Sequence, residues 1–285
     1  TQDTAGAMGR SVADVWLTQS VIMGYDPQDP ATAWGWAWQK EPKSPSKAGS
    51  LKGVRLGVLK SFFGEGAESE PVNIAMEGAM AELKEAGAVL VPLEGGYSSP
   101  EVQKMASVHL YELDAHLSAY LSEAGAPVKS LAEVLSSKRY HPGIEENLKA
   151  AKALSTGSGE YLQKLQAQGQ VREWLMNLMA ASDLDAILYP HQQVLVCPVG
   201  EGQKLRNGVL ASVTGFPSLC VPVGYSQPSP TAPLGVPIGM ELISAPFADF
   251  KLLEIAAGYE NSHPHHRPPD EKYWLDSTSI SRLSP

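Results

Sequence analysis

Two short runs late in the chain alternate so regularly that they organise the reading of the rest. Within residues 214–224, Leu219, Val221 and Val223 fall on one face with Pro222 between them; within 235–243, Val236, Ile238 and Met240 repeat the period of two. This is the spacing of strands with one buried face. Gly- and Pro-rich residues from Gly224 to Pro233 supply the turn between them. An apolar pair punctuated by Gly and Pro fits the middle of a sheet covered by helices.

The remaining pattern alternates between the two periodicities. A helix starting at Thr4 or Gly6 is expected from the spacing of Met8, Val12, Val15, Trp16, Ile22 and Met23, with an Arg10–Asp14 pair at i,i+4 and an end near Gly24. Residues 25–50 carry repeated Pro, Gly and Asp and read as an irregular connection held down by Trp34, Trp36 and Trp38. Residues 53–59 alternate as a strand, 72–86 form an amphipathic helix ending at Gly87, and 88–93 form a second strand. That order is a βαβ unit. From 102 to 181 the period is helical, with breaks at 125–127, 141–143 and 156–159; a strand returns at 184–190, followed by the polar loop His191-Gln192-Gln193. A helical stretch near Asn207 precedes the central pair, a helix over 247–260 follows it, and the Pro-rich tail 264–269 reads as surface coil.

Composition narrows the function classes. A chain of 285 residues, 43% hydrophobic and 19% charged, can bury a full core. Its net charge of -9 and the lack of any basic run argue against a nucleic-acid partner. No apolar run reaches the roughly 18 residues of a membrane span, so a soluble chain is expected. Cys197 and Cys220, each in an apolar segment, read as reduced core cysteines, a bridge between them being the alternative. The compartment stays open, with the cytoplasm the nearer reading. Thr1-Gln-Asp-Thr-Ala-Gly-Ala-Met8 is neither a native start nor a signal peptide, and the chain is expected to begin inside something longer.

Familiar chemical motifs are absent: there is no Gly-x-Ser-x-Gly, Walker loop, Gly-x-Gly-x-x-Gly, His-Glu-x-x-His or Cys-x-x-Cys. His263, His265 and His266, with Asp270 and Glu271, form the one imidazole cluster, but a Pro-interrupted tail fixes no coordination geometry, so no metal is expected. Asp3, Asp14, Glu112 and Asp114 read as caps and surface charges before general bases. Gly157-Ser158-Gly159 reads as a turn, because no partner base accompanies the serine.

Taken as a whole, the chain resembles the amidase-signature family from its first residue to about Glu260. Residues 1–14 are similar to that family's Ser-x-Asp-Thr-x-Gly-Pro-Met-x-Arg-Thr-Val-x-Asp segment, and Gly24-Tyr-Asp-Pro-Gln-Asp-Pro30 follows where expected. Residues 111–121 and 127–131 resemble the helical substrate-side region of the peptide-amidase branch, which makes about 102–181 a helical insertion within one domain over 1–260, with 261–285 as a tail. The resemblance implies an α/β fold with a mixed central sheet flanked by helices, incomplete because an N-terminal part is absent. It implies hydrolysis of a small carboxylic amide, with no cofactor, by a serine nucleophile, a second serine in a cis peptide and a neutral lysine base. All three precede the Gln2-Asp3-Thr4 segment in the family, and no Gly-Gly-Ser occurs here, so no catalytic residue carries over. The chain alone is then expected to be inactive, its partner being the missing segment or chain; uncovered edges leave room for a homo-oligomer. The alternatives are a noncatalytic binding remnant and an amidotransferase A-type subunit. By the same resemblance Asp3, Thr4 and Arg10 are scaffold beside the catalytic core. His191, Gln192 and Gln193 follow the C-terminal end of a strand, where open α/β sheets place ligand contacts. The family more often has Thr in place of His191, and its branch Lys in place of Asp114.

Overall fold

The computed structural model describes residues 1–36, 49–123 and 125–267; Trp38, Asp270 and Glu271 lie outside them. The fold grows from the βαβ unit. Strand β1 (Arg55–Leu59) leads through helix α2 (Glu70–Glu85) to β2 (Val89–Leu93), and the two strands pair in parallel. Val72, Met76, Ala79 and Leu83 of α2 recur at helical spacing and are buried, which is the apolar stripe that docks a helix on a sheet. Gly87 stops the helix with φ +98°, a conformation that glycine adopts without strain.

Strand β3 (Ala186–Pro190) pairs in parallel with β1, and β5 (Pro237–Ile243) runs antiparallel to both β3 and β4 (Ser218–Tyr225). The sheet order is β2-β1-β3-β5-β4. One face carries Leu56, Val58, Leu188, Met240, Leu242, Val221 and Val223, packed under α2 and α9 (Asp249–Ser262). The other carries Leu59, Leu93, Ile187, Tyr189 and Ile243, and is covered by α3 (Ser99–Ala106), α7 (Gly159–Ser182) and α8 (Leu210–Thr214). Helices α4 (His109–Glu123), α5 (Leu131–Ser137) and α6 (Glu145–Ala153) build a small separate core around Leu131, Leu148 and Ala151.

Of the inward positions the alternation predicted, Val221, Val223, Ile238 and Met240 are buried, Leu219 is partly buried against the same core, and Val236 is half-buried just before β5. The location of the pair departs from the expectation. Among the described residues β4 is an edge strand, and Ser218, Cys220 and Pro222 on its second face are exposed. Proline lacks the N–H that a further strand would need, which suits an edge.

Several local expectations are corrected. Helix α1 (Val12–Ile22) starts after Ser11, whose side chain accepts from Asp14 N at 3.1 Å and donates to the Asp14 carboxylate at 2.8 Å. That cap takes Asp14 away from Arg10, and residues 1–9 form no helix. Trp34 and Trp36 do not anchor their segment by burial, being 79% and 58% exposed. The cysteines are free thiols outside the core clusters: Cys197 is half-buried in a loop and Cys220 is exposed. The start of the tail is docked, not solvated. The His265 ring lies over Tyr259, with its Nε2 2.8 Å from Glu82, and Arg267 covers Tyr225. Ser158 is the N-cap of α7, accepting from Tyr161 N, which gives the Gly157-Ser158-Gly159 turn its role. No described helix is long and apolar enough to cross a membrane.

Candidate functional site

The residue that follows β3 is His191, two positions beyond Tyr189 and therefore on the same sheet face. Its N–H donates to Gly239 O at 3.0 Å and its carbonyl accepts from Asn207 N at 3.1 Å, so the backbone is fixed on both sides. The β3–β5 register sets Tyr189 opposite Glu241, and this brings the Glu241 carboxylate to 2.7 Å from His191 Nδ1. Glu241 is only 4% exposed at its side chain, whereas the imidazole is 44% exposed. A buried carboxylate thus orients a ring whose other nitrogen is free to face outward. The hydrogen bond to Glu241 raises the His191 pKa, burial opposes that, and the carboxylate charge adds to the rise.

The same carboxylate acts on its row neighbours. Cys220 lies across β5 from Tyr189 in register. Although the residue is exposed, its Sγ turns inward over Gly239, where a Cβ would stand 2.6 Å away. Burial of the sulfur and the Glu241 charge push the thiol up to about 12. That is the opposite of an activated nucleophile, which needs a lowered pKa. The Tyr189 hydroxyl is fully buried with no hydrogen-bond partner among the described residues, and burial together with Glu241 raises its pKa well above the ordinary phenol value.

Beside His191 lies a cleft of about 480 Å³ whose lining includes Gln2, His109, Gln192, Arg206 and Ser212. Gln192 Oε1 is buried without a partner among the described residues, an acceptor in need of a donor. Gln193 is placed differently. Its Nε2 donates to Asn207 Oδ1 at 3.0 Å, and Asn207 in turn donates to Phe62 O at 2.6 Å and Pro190 O at 2.7 Å. This buried network ties the ends of β1 and β3 together, so Gln193 holds the cleft floor while His191 and Gln192 line the space.

The residues expected to be scaffold are on the surface of this chain. Asp3, Thr4 and Arg10 are exposed, and among the described residues Thr4 Oγ1 makes one long contact, 3.5 Å to Ala5 O. The residue that does anchor the segment is Gln2. Its Oε1 accepts from Val108 N at 2.7 Å and His109 N at 3.1 Å, satisfying the first free donors of α4. Of the carboxylates weighed as bases, Glu112 is buried and accepts from the Thr1 and Tyr161 hydroxyls, while Asp114 pairs with Lys152 at 2.7 Å. Both carboxylates are thus engaged by partners within this chain. No group of three or more His, Cys, Asp or Glu residues is arranged to hold a metal among the described residues.

Periodicity and motifs do not single out Glu241, Gln2 or Asn207 as site residues. An acid within the apolar run 235–243 is the one signal that points to any of them.

Comparison with known proteins places this architecture. A family model described as Amidase matches residues 1–253. The A-type chain of the glutamyl-tRNA(Gln) amidotransferase from Moorella thermoacetica is 27% identical over 93% of this chain and 55% of its own length; that from Bdellovibrio bacteriovorus is 29% identical over 92% and 57%. The native peptide amidase from Stenotrophomonas maltophilia superposes with a TM-score of 0.75 at 29% identity, covering 94% of this chain and 55% of that one. The chain therefore spans about half the length of the curated relatives it matches, and its five-stranded sheet with flanking helices is part of the peptide amidase's fold. With a family model matched over most of its length and a shared mixed sheet, this chain belongs to the amidase family.

Proposed function

We propose that the chain is the C-terminal portion of an enzyme that hydrolyses carboxylic amides, with the serine nucleophile, the cis-peptide serine and the lysine base on a segment that precedes Thr1. In this reading residues 1–260 are one part of a single amidase domain and 261–285 its tail. The observation that carries it is the family match over residues 1–253 in a chain without a Gly-Gly-Ser. The open face of β4, beside the His191 cleft, supports it by offering a surface on which the catalytic segment seats. His191 and Gln192 form one wall of the substrate pocket, Asp3, Thr4 and Arg10 face the incoming segment, and the chain alone is inactive.

The test is complementation. The chain is expressed alone and together with the part of the Stenotrophomonas maltophilia peptide amidase outside the aligned share, and ammonia release from simple aryl, aliphatic and peptide amides is measured. Activity only from the pair is the expected result. Turnover by the chain alone, or a stable pair without turnover, would sink the reading, the latter in favour of a noncatalytic binding remnant. A second reading, an amidotransferase A-type subunit, is favoured by the names of the curated relatives; it predicts ammonia transfer to an activated carbonyl in place of net hydrolysis.

A further inference from the structure

The chain carries 31 acidic against 22 basic residues, yet no Asp or Glu lines the cleft among the described residues. The basic groups there are His109, His191 and Arg206, and the Cys197 thiol also lines it. Arg206 is exposed with no ion pair among the described residues, and its backbone bridges to Gln192. His191 is held by Glu241 at 2.7 Å, so the nearest carboxylate is buried and already engaged. A recess that holds an arginine and no acid offers an anion a favourable place in a protein that otherwise repels it.

We infer that this cleft binds the carboxylate of an amide, with Arg206 and His191 as its donors, and that on this chain it favours a carboxylate with no ammonium group beside it. Arg206 offers a planar fork that matches a carboxylate. His191, its Nδ1 donating to Glu241, presents Nε2 to the cleft as a second donor when the ring is protonated. An α-amino acid would bring an ammonium that no lining carboxylate meets. The amide of a dicarboxylic acid fits better than a zwitterionic amino-acid amide. This inference rests on the amidase reading for the choice of an amide, but the binding it describes does not depend on hydrolysis.

The test is therefore binding to the complete chain by ligand-observed NMR, with three probes of one length: glutaramate, L-glutamine and pentanamide. Glutaramate should bind about tenfold or more tightly than pentanamide, the range of a charge-assisted hydrogen bond, and more tightly than L-glutamine. Arg206→Gln and His191→Gln should each reduce the preference, Arg206→Lys should retain part of it, and the distant surface change Lys149→Gln should leave it intact. Thermal melts check that each variant folds. Should one not fold, the wild-type salt dependence serves instead: glutaramate affinity should fall as ionic strength rises. Equal binding of glutaramate and pentanamide, a preference that survives both substitutions, or a salt-independent affinity overturns the carboxylate site. L-glutamine binding as tightly as glutaramate overturns the exclusion of the ammonium. Failure of complementation with these preferences intact would overturn the amidase reading and leave the anion site standing.

Discussion

The two halves of the sheet are built to different ends. In β1 and β3 both faces are covered, by α2 on one side and by α3, α7 and α8 on the other, and the inward residues are apolar on both. At β4 one face is apolar and covered, while the other exposes Ser218, Cys220 and Pro222; the row through Cys220 continues to the buried Glu241 of β5, which meets His191 after β3. A strand buried on both faces derives its stability from packing density. A strand open on one face is free to hold polar groups in a row. The covered strands therefore fix the fold, and the open face of β4 lies in the same row as the Glu241–His191 pair.

The largest effect should come from the covered half. Leu56 is completely buried between β2 and β3, and Leu56→Ala should cost about 2–5 kcal/mol in denaturant unfolding. A loss under about 1 kcal/mol would mean that this half is not the stabilising one. Next comes the pair itself. Because Glu241 raises the folded-state pKa of His191, the stability it gives is fully present below the ordinary imidazole pKa, near ~6.5. That stability is lost as pH rises through the raised folded value. Glu241→Gln should return the His191 titration, followed by NMR, toward the ordinary value and flatten that part of the pH–stability curve. An unchanged titration would refute the role given to Glu241. The smallest effect is expected on the open face: Ser218→Ala should change stability by no more than about 0.5 kcal/mol, which melting curves of the two proteins can check. A larger loss would show that this face is packed in solution.

How much of this was legible depends on the range of the interaction. The βαβ unit could be read because its strands and the stripe Val72, Met76, Ala79 and Leu83 are local periodicities. The start of α1 was legible in principle through Ser11-Val-Ala-Asp14, whose cap outweighs the apolar spacing of Met8. The tryptophans Trp34 and Trp36 show the limit of composition: large apolar residues do not bury themselves unless a neighbour covers them. His191 could be placed at a strand end, but its partner lies 50 residues away and meets it only through the β3–β5 register. Gln193 looked equivalent to its neighbours and is not, because Asn207 draws it inward.

By itself, then, the sequence determined the order of strands and helices, the inward faces of β4 and β5, and the family to which the chain is similar. All of these follow from local period and from motifs contiguous in the chain. The tertiary structure alone decided that β4 is an edge among the described residues, that Glu241 orients His191, and that Arg206 and two histidines, with no acid, line the cleft beside them. Those features are set by which strands become neighbours and in what register, and pairing is a long-range property that no local period encodes.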